Sequence, residues 1–202
     1  MNQKGEITIY IGPMFAGKSS ELIRQINRWK QLNWNVLAIN HISDSRYNTN
    51  NIVSHNLEES PSKSLEFLMP LITENDMEYQ NAQVIIIDEG QFFTDLYQFV
   101  KTSANKYGKK VYLSGLDGDY SKKPFHGSQI LALIPEAENV HKLKALCQKC
   151  GDGTVASFTS YHTNGLIKKP DDNNQHIPVI GGNKIFQSLC RFHYNQINPE
   201  YM

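Results

Sequence analysis

Cysteine is scarce. The chain has three in 202 residues, an odd number that excludes a fully paired disulfide framework. No apolar run reaches the ~18 residues of a membrane helix. The N-terminus lacks the basic-then-apolar order of a secretory leader. A soluble, intracellular protein is therefore expected. Neither sign of charge is in excess: Lys plus Arg number 20, as do Asp plus Glu. That argues against a dedicated nucleic-acid binder, which carries a basic surplus. Internal repeats are missing, and low complexity is limited to mild asparagine richness. The length suits one sizeable domain, or one with a small appendage.

Glycine is concentrated where it matters. Gly12, Pro13, Met14, Phe15, Ala16, Gly17, Lys18 and Ser19 fit G-x-x-x-x-G-K-[ST], the phosphate-binding loop. The context fits too. Ile7 to Ile11 reads as a buried strand, and residues 20–29 as an amphipathic helix with Leu22, Ile23, Ile26 and Trp29 on one face. The glycines let successive N–H groups turn inward around anionic oxygens, and the helix N-terminus adds partial positive charge. Lys18 is expected at the β- and γ-phosphates and the Ser19 hydroxyl at Mg²⁺.

Strands and helices alternate further on, so the class is α/β. Trp34 to Ile39 reads as the second strand. Residues 40–60 read as a polar loop, with Val53 and His55 in a short edge strand. Ser64 to Ile72 reads as a helix interrupted at Pro70. Val84, Ile85, Ile86 and Ile87 suit a strand buried on both faces. Asp88 and Glu89 follow at its C-terminal end, where open α/β sheets place their sites. Asp88 matches the Walker-B acid that holds the Mg²⁺ shell, and Glu89 is a candidate general base. On a regular strand the two carboxylates would point to opposite sides. A helix over 95–107, closed by Gly108, and a strand over Lys110 to Ser114 come next.

The cysteines suggest metal. Cys147-x-x-Cys150 and Cys190-x-x-His193 give two knuckles and four N/S donors, enough for a closed tetrahedral Zn²⁺ site of structural type. Cys147-x-x-Cys150 alone could be a redox pair; the second knuckle favours zinc. His193 is preferred to His141, His162 and His176 because it has the knuckle spacing. Thirty-nine residues separate Cys150 from Cys190. A loop of that length is usually functional. Tyr120 and Phe125 lie in a polar stretch after a strand end and suit a pocket better than a core. Lys142, Lys144 and Lys149 leave room for a rival reading, a P-loop ATPase whose zinc module binds DNA.

Taken in order, these motifs resemble the thymidine kinase family, in its P-loop-plus-zinc type. The signs are the phosphate loop, Glu21 to Arg24, Asp44 to Tyr47, Asp88 to Phe93, Leu116 to Gly118, and Lys123 to Gly127. The two knuckles and Val179 to Gly182 complete them, and the set spans residues 5–194. The resemblance implies a RecA-like, mostly parallel sheet flanked by helices, with ATP bound by residues 1–140. It implies a small zinc-ribbon-like domain over residues 141–202, carrying a lasso loop across the nucleoside. It implies transfer of the γ-phosphoryl group of ATP to the thymidine 5′-hydroxyl. Glu89 would be the base and Asp88 the support of Mg²⁺. Arg46 would lie beside the transferring phosphate. Met14, Phe92, Leu116, Tyr120, Phe125 and Phe186 would wall the nucleoside, and Ile177, Val179, Ile180 and Gly181 would cover its base. Phe186 stands where relatives often have Tyr, and His193 where some have Cys. A homotetramer and feedback inhibition by dTTP are implied by resemblance alone; a cytoplasmic location and no direct nucleic-acid or membrane partner are expected as well.

Overall fold

The computed structural model describes residues 4–44, 51–53, 58–161 and 185–201. Its centre is a six-stranded sheet. The strands are β1 (Glu6–Gly12), β2 (Val36–His41), β5 (Lys63–Leu65), β6 (Val84–Ile87), β7 (Lys110–Leu116) and β8 (Asn139–Lys142). They lie in the order β5-β2-β6-β7-β1-β8, and every neighbouring pair is parallel. The α/β expectation holds, with the sheet flanked by helices.

Alternation along each strand decides what each face covers. Ile7, Ile9, Ile11, Ile39, Ile85, Ile87, Val111 and Leu113 point to one face. There they meet α3 (Met77–Asn81) through Tyr79, and α4 (Leu96–Asn105) through Leu96, Phe99 and Val100. Tyr10, Ala38, Val84, Ile86 and Tyr112 point to the other face, beneath α1 (Lys18–Gln31). From α1, Leu22, Ile23 and Ile26 are buried there. Each contributes roughly 1.5–3 kcal/mol of hydrophobic burial. The run of apolar residues in β6 is buried throughout because both faces are covered.

The helix expected from Ser64 to Ile72 is not formed. Lys63–Leu65 is instead the edge strand β5, paired with Ile39, Asn40 and His41. Pro70 opens the short helix α2 (Pro70–Thr73) rather than interrupting one. Its fixed φ and missing N–H suit the first helical turn. Asp95 Oδ2 accepts the N–H groups of Leu68 and Met69 at 2.7 Å each, which fixes the turn into α2. In the polar stretch, β3 (Asn51–Val53) and β4 (Glu59–Pro61) form their own antiparallel pair, apart from the large sheet. Val53 is in β3; His55 lies outside the described residues.

After β8 the chain turns to small antiparallel pairs. β9 (Ala145–Leu146) pairs with β10 (Val155–Ala156), and β11 (Phe158–Tyr161) with β12 (Phe186–Leu189). The helix α5 (Arg191–Ile197) follows. Ala145, Cys147, Ala156, Leu189 and Tyr194 form this module's own core. Phe15 and Ala16 of the phosphate loop pack against that core. Loop and module are thus in contact.

Candidate active site and metal cluster

The phosphate loop leaves the C-terminal end of β1. Gly12 has φ 148, and a Cβ there would lie 2.4 Å from the Leu143 carbonyl oxygen. Only glycine admits this approach. Gly17, at φ 78, caps α1 without a side chain. Lys18 Nζ folds back to the Pro13 carbonyl at 2.7 Å. The Met14 N–H donates to Thr159 Oγ1 at 3.0 Å, tying the loop to β11. An open cleft of about 520 Å³ is lined by residues 14–20 together with Val53, Glu89 and Leu116. Loop and candidate base therefore share one cleft.

The acidic pair departs from strand geometry. β6 stops at Ile87, and Glu89 adopts a left-handed conformation, φ 53. The expectation of opposite-facing carboxylates assumed a regular strand, and the strand is not regular here. Asp88 is 4% exposed and Glu89 9%. The Glu89 N–H donates to Asp88 Oδ1 at 2.9 Å. Ser114 Oγ donates to the same oxygen, and the Ser19 side chain also hydrogen-bonds the Asp88 carboxylate. Burial, then the neighbouring Glu89 charge, raise the Asp88 pKa, and the serine bonds only partly offset this. A buried carboxylate with a raised pKa, touching the loop serine, is suited to a cation. That donor set fits Mg²⁺, a hard ion that favours oxygen ligands.

Met14, Tyr161 and Phe186 form a buried apolar cluster with Phe15, Leu116, Tyr120 and Ile185 against it. The Tyr120 ring meets Tyr161 edge-on, with centroids 4.5 Å apart. Tyr161 and Phe186 are cross-strand partners with rings 5.0 Å apart. Phe92 and Phe125 meet edge-on at 6.2 Å, and Phe92 also faces His41. Phe93 is core, with no exposure. Arg46, Ile177, Val179, Ile180 and Gly181 lie outside the described residues.

The two knuckles converge. The donor atoms of Cys147, Cys150, Cys190 and His193 lie within 4.8 Å of one another. His193 Nδ1 is 3.6 Å from Cys147 Sγ, 3.3 Å from Cys150 Sγ and 3.4 Å from Cys190 Sγ. Cys150 Sγ and Cys190 Sγ are 3.9 Å apart. Tetrahedral Zn²⁺ with ordinary bond lengths needs S···N edges of about 3.6 Å and S···S edges of about 3.8 Å. The donors fit. Burial opposes ionisation of the Cys147 thiol, but hydrogen bonds from the backbone of Cys190, Cys150 and Lys149 bring it down to about 6. That favours the thiolate a metal requires at Cys147, whereas burial and the neighbouring Cys147 and Cys190 sulfurs push Cys150 up to about 11. His141 is not part of the cluster; it stacks on Tyr10 at 5.1 Å.

A family model, "Thymidine kinase", matches residues 5–194. The chain belongs to the thymidine kinase family. It is 40% identical over 197 residues to the thymidine kinase of Yaba monkey tumor virus, covering 98% of each chain. It is 39% identical over 190 residues to the thymidine kinase of Vaccinia virus (strain Western Reserve), covering 93% of this chain and 95% of the viral one. It is 35% identical over 202 residues to the cytosolic thymidine kinase of Gallus gallus, covering 98% of this chain and 81% of the other. Among the described residues, no helix is long and apolar enough to cross a membrane.

Sequence reasoning missed several residues of this thymidine kinase family site. Thr159, Tyr161 and Tyr194 reach it from the C-terminal module, and Gln91 from the turn after Glu89. The β-branched and aromatic residues Val155, Phe158, Thr159 and Tyr161 could have flagged a strand. Nothing in the pattern marks Gln91 as buried, because polar residues carry no burial signal.

Proposed function

We infer that this protein transfers the γ-phosphoryl group of ATP to the 5′-hydroxyl of thymidine. The observation that carries the reading is the shared cleft. In a member of the thymidine kinase family, it joins a phosphate loop to the Glu89 carboxylate, beside an aromatic cluster. The same reading gives ATP to residues 1–140, and zinc and nucleoside cover to residues 141–202.

The loop of Gly12, Met14, Phe15, Ala16 and Gly17 cradles the phosphates through N–H groups other than that of Met14, which Thr159 Oγ1 holds, and Lys18 swings from Pro13 onto them. Mg²⁺, held through Ser19 and Asp88, would neutralise charge on the phosphate oxygens. Glu89 accepts the 5′-hydroxyl proton as that oxygen bonds to the γ-phosphorus. The bond to the bridging oxygen breaks, and ADP leaves. Arg46 stabilises the spread charge. Met14, Phe92, Leu116, Tyr120, Phe125 and Phe186 wall the nucleoside. Backbone groups at Ile177, Val179, Ile180 and Gly181 read the thymine edge, so that cytosine leaves buried groups unpaired. Zinc at Cys147, Cys150, Cys190 and His193 is structural, since four protein donors leave no open position. A homotetramer, dTTP as inhibitor and a cytoplasmic location complete the reading; the cytosolic name of the Gallus gallus relative supports the last.

An assay with ATP and Mg²⁺ over a panel of nucleosides tests it. Thymidine should be phosphorylated and deoxycytidine and purine nucleosides should not. Absence of product from thymidine overturns the reading.

A further inference from the structure

Gln91 is a polar side chain in an apolar setting. It sits on the 3-10 turn Gly90–Phe92 and is 3% exposed. Both ends of its amide are engaged. Its Oε1 accepts the Leu116 N–H at 3.0 Å. Its Nε2 donates to Glu89 Oε2 at 2.5 Å. The first bond decides the second. A backbone N–H can only donate, so it must face the amide oxygen; the NH₂ end is then turned to the carboxylate. A neutral donor to a carboxylate at this distance is a strong, charge-assisted bond.

The room for this amide is kept by Gly115. A Cβ there would lie 2.7 Å from Gln91 Oε1 and 2.6 Å from Ile130 Cδ1. The end of β7, a rigid inner strand, thus sets where the amide sits. Glu89 needs such a tether, because its left-handed backbone is uncommon for a residue with a side chain.

We propose that Gln91 is a positioning residue for Glu89, transmitting the register of β7 at Leu116 to the carboxylate that faces the cleft. The proposal rests on the reading of Glu89 as the base. Gln91 does not itself touch the reacting atoms. Its role is to hold one carboxylate oxygen, so that the other is presented to the acceptor hydroxyl.

The test compares Gln91→Met, Glu89→Gln and the double variant, with kcat and both KM values measured. Gln91→Met should lower kcat by roughly 10- to 100-fold, the loss typical of a misplaced catalytic group. KM for ATP should stay within about twofold, while KM for thymidine rises no more than several-fold, since Leu116, whose N–H loses its acceptor, walls the nucleoside. The double variant should be no slower than Glu89→Gln, because nothing is left to position. Two outcomes overturn the proposal: a folded Gln91→Met with wild-type kcat beside an impaired Glu89→Gln, or losses that multiply in the double variant. Wild-type kcat in Glu89→Gln instead removes the base reading, and the proposal falls with it. Should Gln91→Met fail to fold, Gln91→Glu keeps the shape and the Leu116 acceptor but sets a second carboxyl against Glu89: kcat at neutral pH must fall with KM for ATP unchanged, and the acid limb of kcat must move to higher pH.

Discussion

The Tyr194 hydroxyl donates to the Tyr120 carbonyl oxygen across 2.6 Å. Tyr194 follows His193 on α5 and is fully buried. Tyr120 belongs to a loop wound tightly on Asp119, whose Oδ1 accepts from Ser121 N–H, Ser121 Oγ and Lys123 N–H. One end of the bond belongs to the metal knuckle and the other to the aromatic cluster.

Tyr194→Phe should therefore raise KM for thymidine several-fold and leave KM for ATP and zinc content unchanged. Losing a hydrogen bond to this part-buried carbonyl costs about 0.5–1.5 kcal/mol, enough to loosen the Tyr120 wall. Steady-state kinetics with each substrate varied will decide. If the two KM values rise together, the contact does not act through Tyr120.

Glu89→Gln should keep ATP affinity while kcat for thymidine falls by about 10²–10⁴, the usual cost of losing a general base. Calorimetric titration with nucleotide, beside a turnover assay, separates the two. Asp88→Asn should behave differently: its loss should appear as a shifted Mg²⁺ requirement.

Removal of the metal should loosen the C-terminal module, since binding energy at such a site is folding energy. We expect about one zinc per chain by elemental analysis, with His193→Cys retaining it and His193→Ala losing it. Full zinc in His193→Ala would move the fourth ligand elsewhere.

Acid should weaken the fold through His41. Its Nδ1 accepts the Ser43 N–H at 3.1 Å, so the ring is neutral with its proton on Nε2. Its edge-on contact with Phe93, at 4.6 Å, adds to its burial. Burial lowers its pKa, against opposing contributions from Glu66, Glu89 and Asp95. The unfolded chain therefore binds the proton more tightly. The stability His41 provides is full above its ordinary value of about 6.5 and is lost as pH falls below it. Thermal melts at pH 7.5 and 5 should show a smaller acid drop in His41→Gln than in the parent.

The legible parts of this molecule were those written in contiguous residues. The loop from Gly12 to Ser19, the apolar run before Asp88, and the knuckle spacings each carry their geometry locally. β5 does not. Lys63, Ser64 and Leu65 have neither an apolar run nor alternation, and pair only because β2 offers them an open edge. Gln91 and Tyr194 were hidden for a related reason. Each takes its meaning from a backbone group on a distant segment, Leu116 or Tyr120, that the local pattern does not reveal. The tilt of Glu89 was unreadable too, since a left-handed residue leaves no composition signal unless it is glycine.

β1 lies between β7 and β8, with Glu6 opposite Lys110 and Thr8 opposite Asn139. Of the described strands it is the first to leave the ribosome, and both its neighbours come late. At roughly 5–20 residues per second, Ile7, Ile9 and Ile11 wait on the order of 5–20 s for a partner. The cradle after β1 depends on Leu143 and Thr159 as well. ATP therefore cannot template the nascent N-terminal half. Recovery of active enzyme during expression should depend on translation speed and chaperone supply, because an unpaired apolar strand is what aggregation uses.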